Sequence, residues 1–205
     1  MSPASVTQQS RLILASASPR RREILGQLGL RFEVLPSGAP EDGPGGRDAV
    51  SYARGLAELK ASSVAVGLAP GGYVLGADTV VVIDDRVLEK PTDDSEAVKM
   101  LMLLSGRIHR VVTAVSVLPA GQGGAAAART VDVASRVRFR ELSRDMAVRY
   151  VASGEGRDKA GSYAIQGLGA GLVVAIDGSY SNVVGLPACE TLELLMQVGA
   201  LECWP

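Results

Sequence analysis

The chain has 205 residues, enough to bury one sizeable core without division into several domains. Its net charge of -1 and its aromatic content of 4 % exclude the broad basic surface and stacking side chains of a nucleic-acid-binding protein. No apolar run reaches the roughly 18 residues of a membrane span, and Cys189 and Cys203 form neither a metal-binding pattern nor a disulfide framework. We therefore expect a cytoplasmic enzyme or binding protein, with a flexible tail over residues 1–10 and one domain over residues 11–205.

Hydrophobic periodicity and turn residues divide the first half of the chain into alternating strands and helices. In chain order, the prediction is a strand over residues 11–15, a helix over 19–28 and a strand over 32–35, then a loop over 37–46 and a helix over 48–66. A strand over 73–83 follows, and a turn at Asp84 and Asp85 connects it to a short return strand over 86–88.

The second half continues the alternation. A helix opens at Asp93, where Glu96 completes a capping-box pattern, and ends near Gly106. After it come a strand over 108–118, a flexible Gly- and Ala-rich connection over 119–128, a strand over 131–139, a helix over 143–152, a strand over 172–176 and a helix over 187–197. This order predicts an α/β fold in which helices flank a mixed, twisted sheet. The Gly- and Ala-rich connection suggests two lobes around a cleft.

The segment after the first strand carries the strongest chemical signal. Pro19 stands where a helix begins, with Ser18 as its expected cap, and Arg20, Arg21 and Arg22 fill the first turn. Three cations beside the unpaired amides of a helix N-terminus repel one another unless an anion joins them. The arrangement therefore predicts a phosphate site. The alternative is an exposed arginine-rich turn with no ligand.

Asp78 lies in the middle of an apolar strand, where a charged side chain is costly to bury without a role or a partner. It is a candidate general base or metal ligand that faces a cleft. The alternative is a carboxylate that neighbouring hydroxyls such as Thr79 satisfy.

Lysine is rare in this chain, which has 17 arginines and 4 lysines. Lys60, Lys90 and Lys159 lie in segments that carry other candidate residues, and Lys99 does not. Because lysine supplies a compact point charge rather than a planar fork, these three positions are candidate anion contacts.

Other patterns exclude familiar sites. His109 is the only histidine, and no Gly-x-Ser-x-Gly elbow accompanies it, so we expect it to have a structural or substrate-orienting role rather than to act as a general base. The glycines at positions 167, 169 and 171 lack the full spacing of a dinucleotide-binding loop, and no Walker-type loop is present.

Six segments together resemble the Maf family of nucleoside triphosphate pyrophosphatases, in the family's order and across nearly the whole chain. They are ASASPRR (15–21), GADTVV (76–81), EKP (89–91), LSGRIH with VTAV (104–115), DKAGSYAIQG (158–167) and GSYSNVVGLP (178–187). The resemblance implies hydrolysis of a nucleoside triphosphate to the monophosphate and pyrophosphate with help from Mg²⁺ or Mn²⁺. It also implies the fold of inosine triphosphate pyrophosphatases and a homodimer.

The resemblance further implies roles for individual residues. Asp78 matches the proton acceptor and is also a possible metal ligand, and Lys60, Lys90 and Lys159 match phosphate-contacting lysines. Ser16 and Arg21 fall in the phosphate-binding turn, whereas Arg20, Thr79 and Gln166 match positions that set substrate choice. An acidic position of the family maps onto Glu41 or Asp42, and Glu155-Gly156 departs from the family's frequent Glu-Pro.

The sequence Ile165-Gln166-Gly167 resembles the branch of the family that acts on dTTP, UTP and modified pyrimidine nucleotides. A neutral amide such as that of Gln166 can pair with the donor and acceptor edge of a pyrimidine. The alternatives are the sister branch, which prefers 7-methyl-GTP, and a non-enzymatic regulator of septum formation. The set of Asp78 with three motif lysines favours catalysis, in a role that removes non-canonical nucleotides.

Overall fold

The computed structural model of the chain describes residues 6–40 and 43–204. Its strands are β1 (Thr7–Gln8), β2 (Leu12–Leu14), β3 (Glu33–Val34), β4 (Tyr73–Ile83), β5 (Arg86–Leu88), β6 (Ile108–Pro119), β7 (Arg129–Phe139), β8 (Val173–Asp177) and β9 (Leu201–Cys203). Its α-helices are α1 (Pro19–Gln27), α2 (Ala49–Ala65), α3 (Asp94–Leu104), α4 (Arg144–Ala152), α5 (Tyr180–Val184) and α6 (Ala188–Gln197). Short 3₁₀ turns lie at Ala125–Ala127, Ala160–Ser162 and Gly167–Leu172.

The main sheet is mixed, as the sequence predicts. Its strand order is β3-β2-β4-β6-β7-β8, and β5 pairs with β4 off this path. Strand β2 runs parallel to both β3 and β4, whereas β6, β7, β8 and β5 pair antiparallel to their neighbours. Residues 119–128, expected between two lobes, instead connect β6 to its antiparallel neighbour β7.

Side-chain caps start the helices at three predicted places. Asp48 accepts hydrogen bonds from the amides of Val50 and Ser51 at the start of α2, and Ser143 accepts one from Met146 at the start of α4. Asp93 likewise caps α3. The first helix differs from the prediction, because Ser18 is at the N-cap of α1 but its side chain makes no capping hydrogen bond.

Apolar packing covers both faces of the sheet. Helix α2 packs on one face against β4 and β6, and helices α1, α5 and α6 pack on the other. The contact between α2 and β4 is close at Gly76, where a Cβ would lie 2.4 Å from the Ala57 carbonyl oxygen and 2.6 Å from the Ala61 amide nitrogen. Only glycine permits this approach, which places the middle of α2 directly against the centre of β4.

The chain ends meet in a second, two-stranded sheet. Thr7 and Gln8 of β1 pair with β9, and the Trp204 indole donates to the Leu28 carbonyl. Of the flexible tail predicted over residues 1–10, residues 1–5 lie outside the described residues. Thr7 and Gln8 differ from the prediction, because β9 supplies backbone partners that no local pattern reveals. Among the described residues, no helix is both long and apolar enough to cross a membrane.

Candidate functional site

A cleft opens at a gap along one edge of β4. Strand β2 pairs with this edge at residues 73–75 and β5 pairs with it at residues 81–83, while β6 occupies the opposite edge. The cleft between them has a volume of about 510 Å³. Neither short strand pairs with residues 76–80, and Asp78 and Thr79, on opposite faces of β4, both line the cleft there. Of the predicted site residues, those that line it are Ser16, Arg20, Arg21, Lys60, Asp78, Thr79, Lys90 and Lys159.

Asp78 forms a buried ion pair inside this cleft. The Lys60 ammonium donates to Asp78 Oδ1 at 2.7 Å, and each side chain is only 10 % exposed. Asp78 Oδ2 receives no hydrogen bond from any described residue. Lys60 reaches Asp78 because α2 lies against β4 at Gly76. The lysine compensates the charge of the buried carboxylate while one carboxylate oxygen stays available to a ligand.

Arg21 connects three parts of the cleft wall. Its Nε donates to the Gly185 carbonyl at 2.9 Å, its Nη1 to Ser16 Oγ at 3.1 Å and its Nη2 to Thr79 Oγ1 at 3.2 Å. The side chain is buried. A planar guanidinium with donors in fixed directions suits this role. Arg21 therefore fixes the relative positions of α1, β4 and the turn after α5 around the predicted phosphate-binding turn.

Arg20 behaves differently from its neighbour. It lies half-buried in the cleft wall, and across residues 6–40 and 43–204 its side chain takes part in no hydrogen bond or ion pair. Together with the adjacent Arg21, it makes the N-terminal end of α1 strongly cationic. The same end has no side-chain cap, so its first amides are open to an anion.

The remaining two lysines enter from the opposite wall. Lys90 follows β5, next to Glu89, whose Oε1 accepts from the Tyr52 hydroxyl at 3.1 Å. The Lys159 ammonium donates to the Glu155 carbonyl at 2.7 Å and to Asp158 Oδ1 at 2.5 Å. Cationic groups from four separate segments therefore line the cleft that contains Asp78.

Gln166 is the one predicted site residue, among those described, that does not line this cleft. It is half-buried at the start of the 3₁₀ turn Gly167–Leu172. The structure places it in the same loop as Lys159 and Tyr163, directly after Ile165, which lines the cleft. Glu41 and Asp42, the alternatives for the family's acidic position, lie outside the described residues.

Glu155 anchors the loop that carries Gln166, a role the sequence did not suggest. Its Oε1 accepts from the Leu168 amide and its Oε2 from the Gly169 amide, both at 2.8 Å, and Oε2 also accepts from the Tyr150 hydroxyl at 2.8 Å. Burial raises the pKa of Glu155, but the bonds from Tyr150 and these amides outweigh it and lower the pKa below its usual value.

His109 lies behind the cleft rather than in it. Its side chain is 1 % exposed, its Nε2 lies 2.7 Å from the Tyr163 hydroxyl, and its ring meets those of Phe139 and Tyr163 edge to face. Burial lowers the pKa of His109 to about 4. The position agrees with the expected structural role, since Tyr163 separates the imidazole from the cleft.

The described residues contain no cluster of three or more His, Cys, Asp or Glu side chains able to hold a metal ion. The cleft does contain the carboxylates of Asp78, Glu89 and Asp158. A Mg²⁺ ion commonly takes one or two protein carboxylates and completes its shell with water and substrate phosphates. The hard oxygen donors in the cleft fit such an ion.

The fold and the cleft define an α/β protein in which cationic side chains line a cleft beside a buried carboxylate. Residues 11–198 match the family described as Maf-like protein, and the chain belongs to that family. It is 49 % identical over 185 residues to the dTTP/UTP pyrophosphatase of Alcanivorax borkumensis, covering 90 % of this chain and 93 % of the relative. It is 48 % identical over 197 residues to the dTTP/UTP pyrophosphatase of Moorella thermoacetica, covering 95 % and 98 %.

A solved structure, that of a HAM1 protein from Coxiella burnetii, aligns with 71 % of this chain and 98 % of its own at 16 % identity and a TM-score of 0.43.

Proposed function

We propose that this protein is a nucleoside triphosphate pyrophosphatase that hydrolyses dTTP, UTP and modified pyrimidine nucleotides to the monophosphate and pyrophosphate. The observation that carries the proposal is the Asp78–Lys60 pair inside a cleft that also receives Arg20, Lys90 and Lys159. The names of the two relatives support the choice of substrate, since each covers nine-tenths or more of this chain.

The cationic wall suits a triphosphate. The ligand carries close to four negative charges, and negative charge grows on the leaving pyrophosphate as the bond breaks. Ser16 and Arg21 shape the turn before α1 that receives phosphate oxygens, and Arg20, Lys90 and Lys159 supply positive charge around it. Hydrogen bonds hold Ser16, Arg21 and Lys159 in place before the substrate arrives, so these three side chains reorganise little during the reaction.

Asp78 acts as the proton acceptor. Lys60 occupies Oδ1 and orients the carboxylate, which leaves Oδ2 directed to a water molecule in the cleft. When that water attacks the α-phosphorus, the bond to the bridging oxygen of the pyrophosphate breaks, and the proton of the water moves to Oδ2. Lys60 limits the motion of the base without contacting the reacting phosphorus.

Mg²⁺ or Mn²⁺ is the cofactor that this donor set favours. Glu89 would hold the ion, because its side chain lines the cleft at the end of β5, whereas Asp78 Oδ2 accepts the proton of the water. When bound, the ion neutralises triphosphate charge and lowers the pKa of bound water. The protein supplies few ligands of its own, so substrate phosphates complete the coordination.

Pyrophosphate release from a nucleotide panel tests the proposed function. The purified full chain is incubated with UTP, dTTP, CTP and 7-methyl-GTP, with and without Mg²⁺ or Mn²⁺, and pyrophosphate and orthophosphate are measured separately. We expect equal amounts of monophosphate and pyrophosphate from UTP and dTTP, and only with metal. Preference for 7-methyl-GTP would place the chain in the sister branch, and no turnover of any nucleotide would favour a regulatory role.

Three further features belong to the same proposal. Gln166 reads the base through its amide, the enzyme works in the cytoplasm, and it acts as a homodimer. The support for them is the family's pattern of motifs. Sedimentation equilibrium on the full chain tests the dimer, and comparison of UTP with CTP for Gln166→Glu tests the base contact.

A further inference from the structure

A chain of hydrogen bonds leads from the cleft along one face of the sheet. Arg21 Nη2 donates to Thr79 Oγ1 at 3.2 Å, Thr79 Oγ1 lies 3.0 Å from Thr113 Oγ1, and Thr113 Oγ1 lies 2.9 Å from the Asn182 carbonyl oxygen. Thr79 and Thr113 are direct neighbours on β4 and β6. Thr113 and Asn182 are completely buried, so water does not reach them.

The far end of this chain is rigid. The Asn182 side-chain amide donates to the Val111 carbonyl at 3.1 Å and to Ser135 Oγ at 2.9 Å, which ties α5 to β6 and β7. The Asn182 carbonyl also accepts from the Gly185 amide at 3.0 Å, and the Gly185 carbonyl in turn accepts from Arg21. These hydrogen bonds therefore form a closed ring, and Thr113 is one of its members.

Only one placement of the two hydroxyl hydrogens puts a hydrogen in every contact. A carbonyl oxygen only accepts, so the single hydrogen of Thr113 is directed to Asn182. Thr113 must then accept from Thr79, so the single hydroxyl hydrogen of Thr79 is donated to Thr113 and not to a ligand. A guanidinium only donates, so Thr79 accepts from Arg21. The Thr79 oxygen has one lone pair left, and it has no hydrogen to offer.

We propose that Thr113 is a positioning residue that makes Thr79 a pure hydrogen-bond acceptor, so that Thr79 selects a nucleotide by a donor group. This inference rests on the proposed function. Uracil and thymine carry a donor at N3, where cytosine has only a lone pair, and UTP and dTTP share a 3′-hydroxyl that can also donate. A buried acceptor left without a donor rejects the wrong ligand strongly.

Exchange of Thr113 for valine tests the proposal. Valine has the same shape but cannot accept, so the Thr79 hydrogen is released and the hydroxyl can turn to donate. We expect Thr113→Val to lower about tenfold the ratio of the kcat/KM value of UTP to that of a nucleotide without the donor, which is CTP for a base donor or 3′-deoxy-UTP for a sugar donor. This is the effect of one hydrogen bond. Thr113→Ser keeps the hydroxyl and should restore the ratio of the parent. Thr113→Ala also removes the hydroxyl, without the extra methyl groups of valine, and should lower the ratio as Thr113→Val does.

Ser116→Ala is the matched control. Ser116 is an equally buried hydroxyl on β6, but its Oγ lies 3.1 Å from Thr130 Oγ1, away from the cleft. It should leave the ratio unchanged even where it lowers stability. A ratio of two substrates is insensitive to the fraction of folded enzyme, so loss of structure alone does not imitate the expected result.

The source of the donor is resolved by a third substrate, 3′-deoxy-UTP. If the base donates, Thr113→Val changes the UTP/CTP ratio alone, and if the sugar donates, it changes the UTP/3′-deoxy-UTP ratio alone. Either result supports the proposal. An active Thr113→Val enzyme in which both ratios match the parent would overturn it. A parent that hydrolyses no nucleoside triphosphate would instead refute the proposed function, and the inference with it.

Discussion

The Asp78 carboxylate depends on Lys60 for its charge balance and on Oδ2 for its chemistry. Asp78→Asn keeps the shape and an oxygen for the Lys60 hydrogen bond but removes the base. We expect kcat for pyrophosphate release to fall by about 10² to 10⁴. Activity within a few-fold of the parent would remove Asp78 from this role.

The same substitution breaks the buried ion pair between Asp78 and the Lys60 ammonium, a change that typically costs about 3–5 kcal/mol. Asp78→Asn should therefore also lower the unfolding free energy in a urea titration. The double variant Asp78→Asn/Lys60→Gln also removes the buried ammonium charge, so it should recover stability but not turnover. This control separates the chemical loss from the structural one.

The adjacent arginines of α1 should separate in their effects. Arg21→Ala breaks three buried hydrogen bonds, to Ser16, Thr79 and Gly185, so it should lower the unfolding free energy by about 3 kcal/mol as well as activity. Arg20→Ala breaks no hydrogen bond or ion pair between described residues, and it should raise KM and lower kcat with little change in stability. Urea titration with steady-state kinetics measures both. The opposite pattern would exchange the two roles.

Among the structural elements, the loop from Lys159 to the 3₁₀ turn Gly167–Leu172 depends on one carboxylate. Glu155 accepts three hydrogen bonds through two oxygens, and glutamine would replace one of those oxygens with a donor. Glu155→Gln should therefore loosen the loop, speed amide exchange at Leu168 and Gly169, and lower kcat/KM for UTP about tenfold. Glu193→Gln, on the exposed face of α6, should change neither quantity. Unchanged exchange at both amides would exclude this anchoring role.

Elements with a strong local pattern were predictable and those held by tertiary contacts were not. The period-2 and helical patterns anticipated the long strands and helices to within a few residues, including β4 at its observed ends. Helix α5 has five residues and β1 has two, and neither buries enough apolar surface to form alone. Their partners lie far away in sequence, as β9 does for β1.

The site residues were likewise predictable where a local pattern marked them and not where tertiary contacts bring them together. The cations and the acid were recognisable by residue type and motif, but the pairing of Lys60 with Asp78 depends on the close approach of α2 at Gly76. The sequence motifs predicted that Thr79 helps to set substrate choice, but they did not indicate Thr113 or Asn182. The contact between Thr113 and Asn182 joins β6 to a helix 69 positions later in the chain. Uncharged hydroxyls in an apolar strand have no local signature of a network.

At the scale of the whole molecule, global stability should respond to the protonation of one buried ring. His109 packs with Phe139 and Tyr163 between the sheet and the α3–α4 side of the core. Burial lowers the pKa of His109 from 6.5 to about 4. His109 is therefore protonated below about pH 6.5 in the unfolded chain, but only below about pH 4 in the folded chain.

The sign follows from this difference. Stability from the neutral ring is complete above pH 6.5 and declines as the pH falls towards 4, where the loss approaches about 3 kcal/mol. His109→Gln keeps a polar atom for the Tyr163 hydroxyl but does not titrate, so its unfolding free energy should fall less between pH 6.5 and 4. Urea titrations at half-unit steps measure both curves, and the carboxylates contribute equally to each. Parallel curves would show that the imidazole is protonated in the native core or that the core opens to water there.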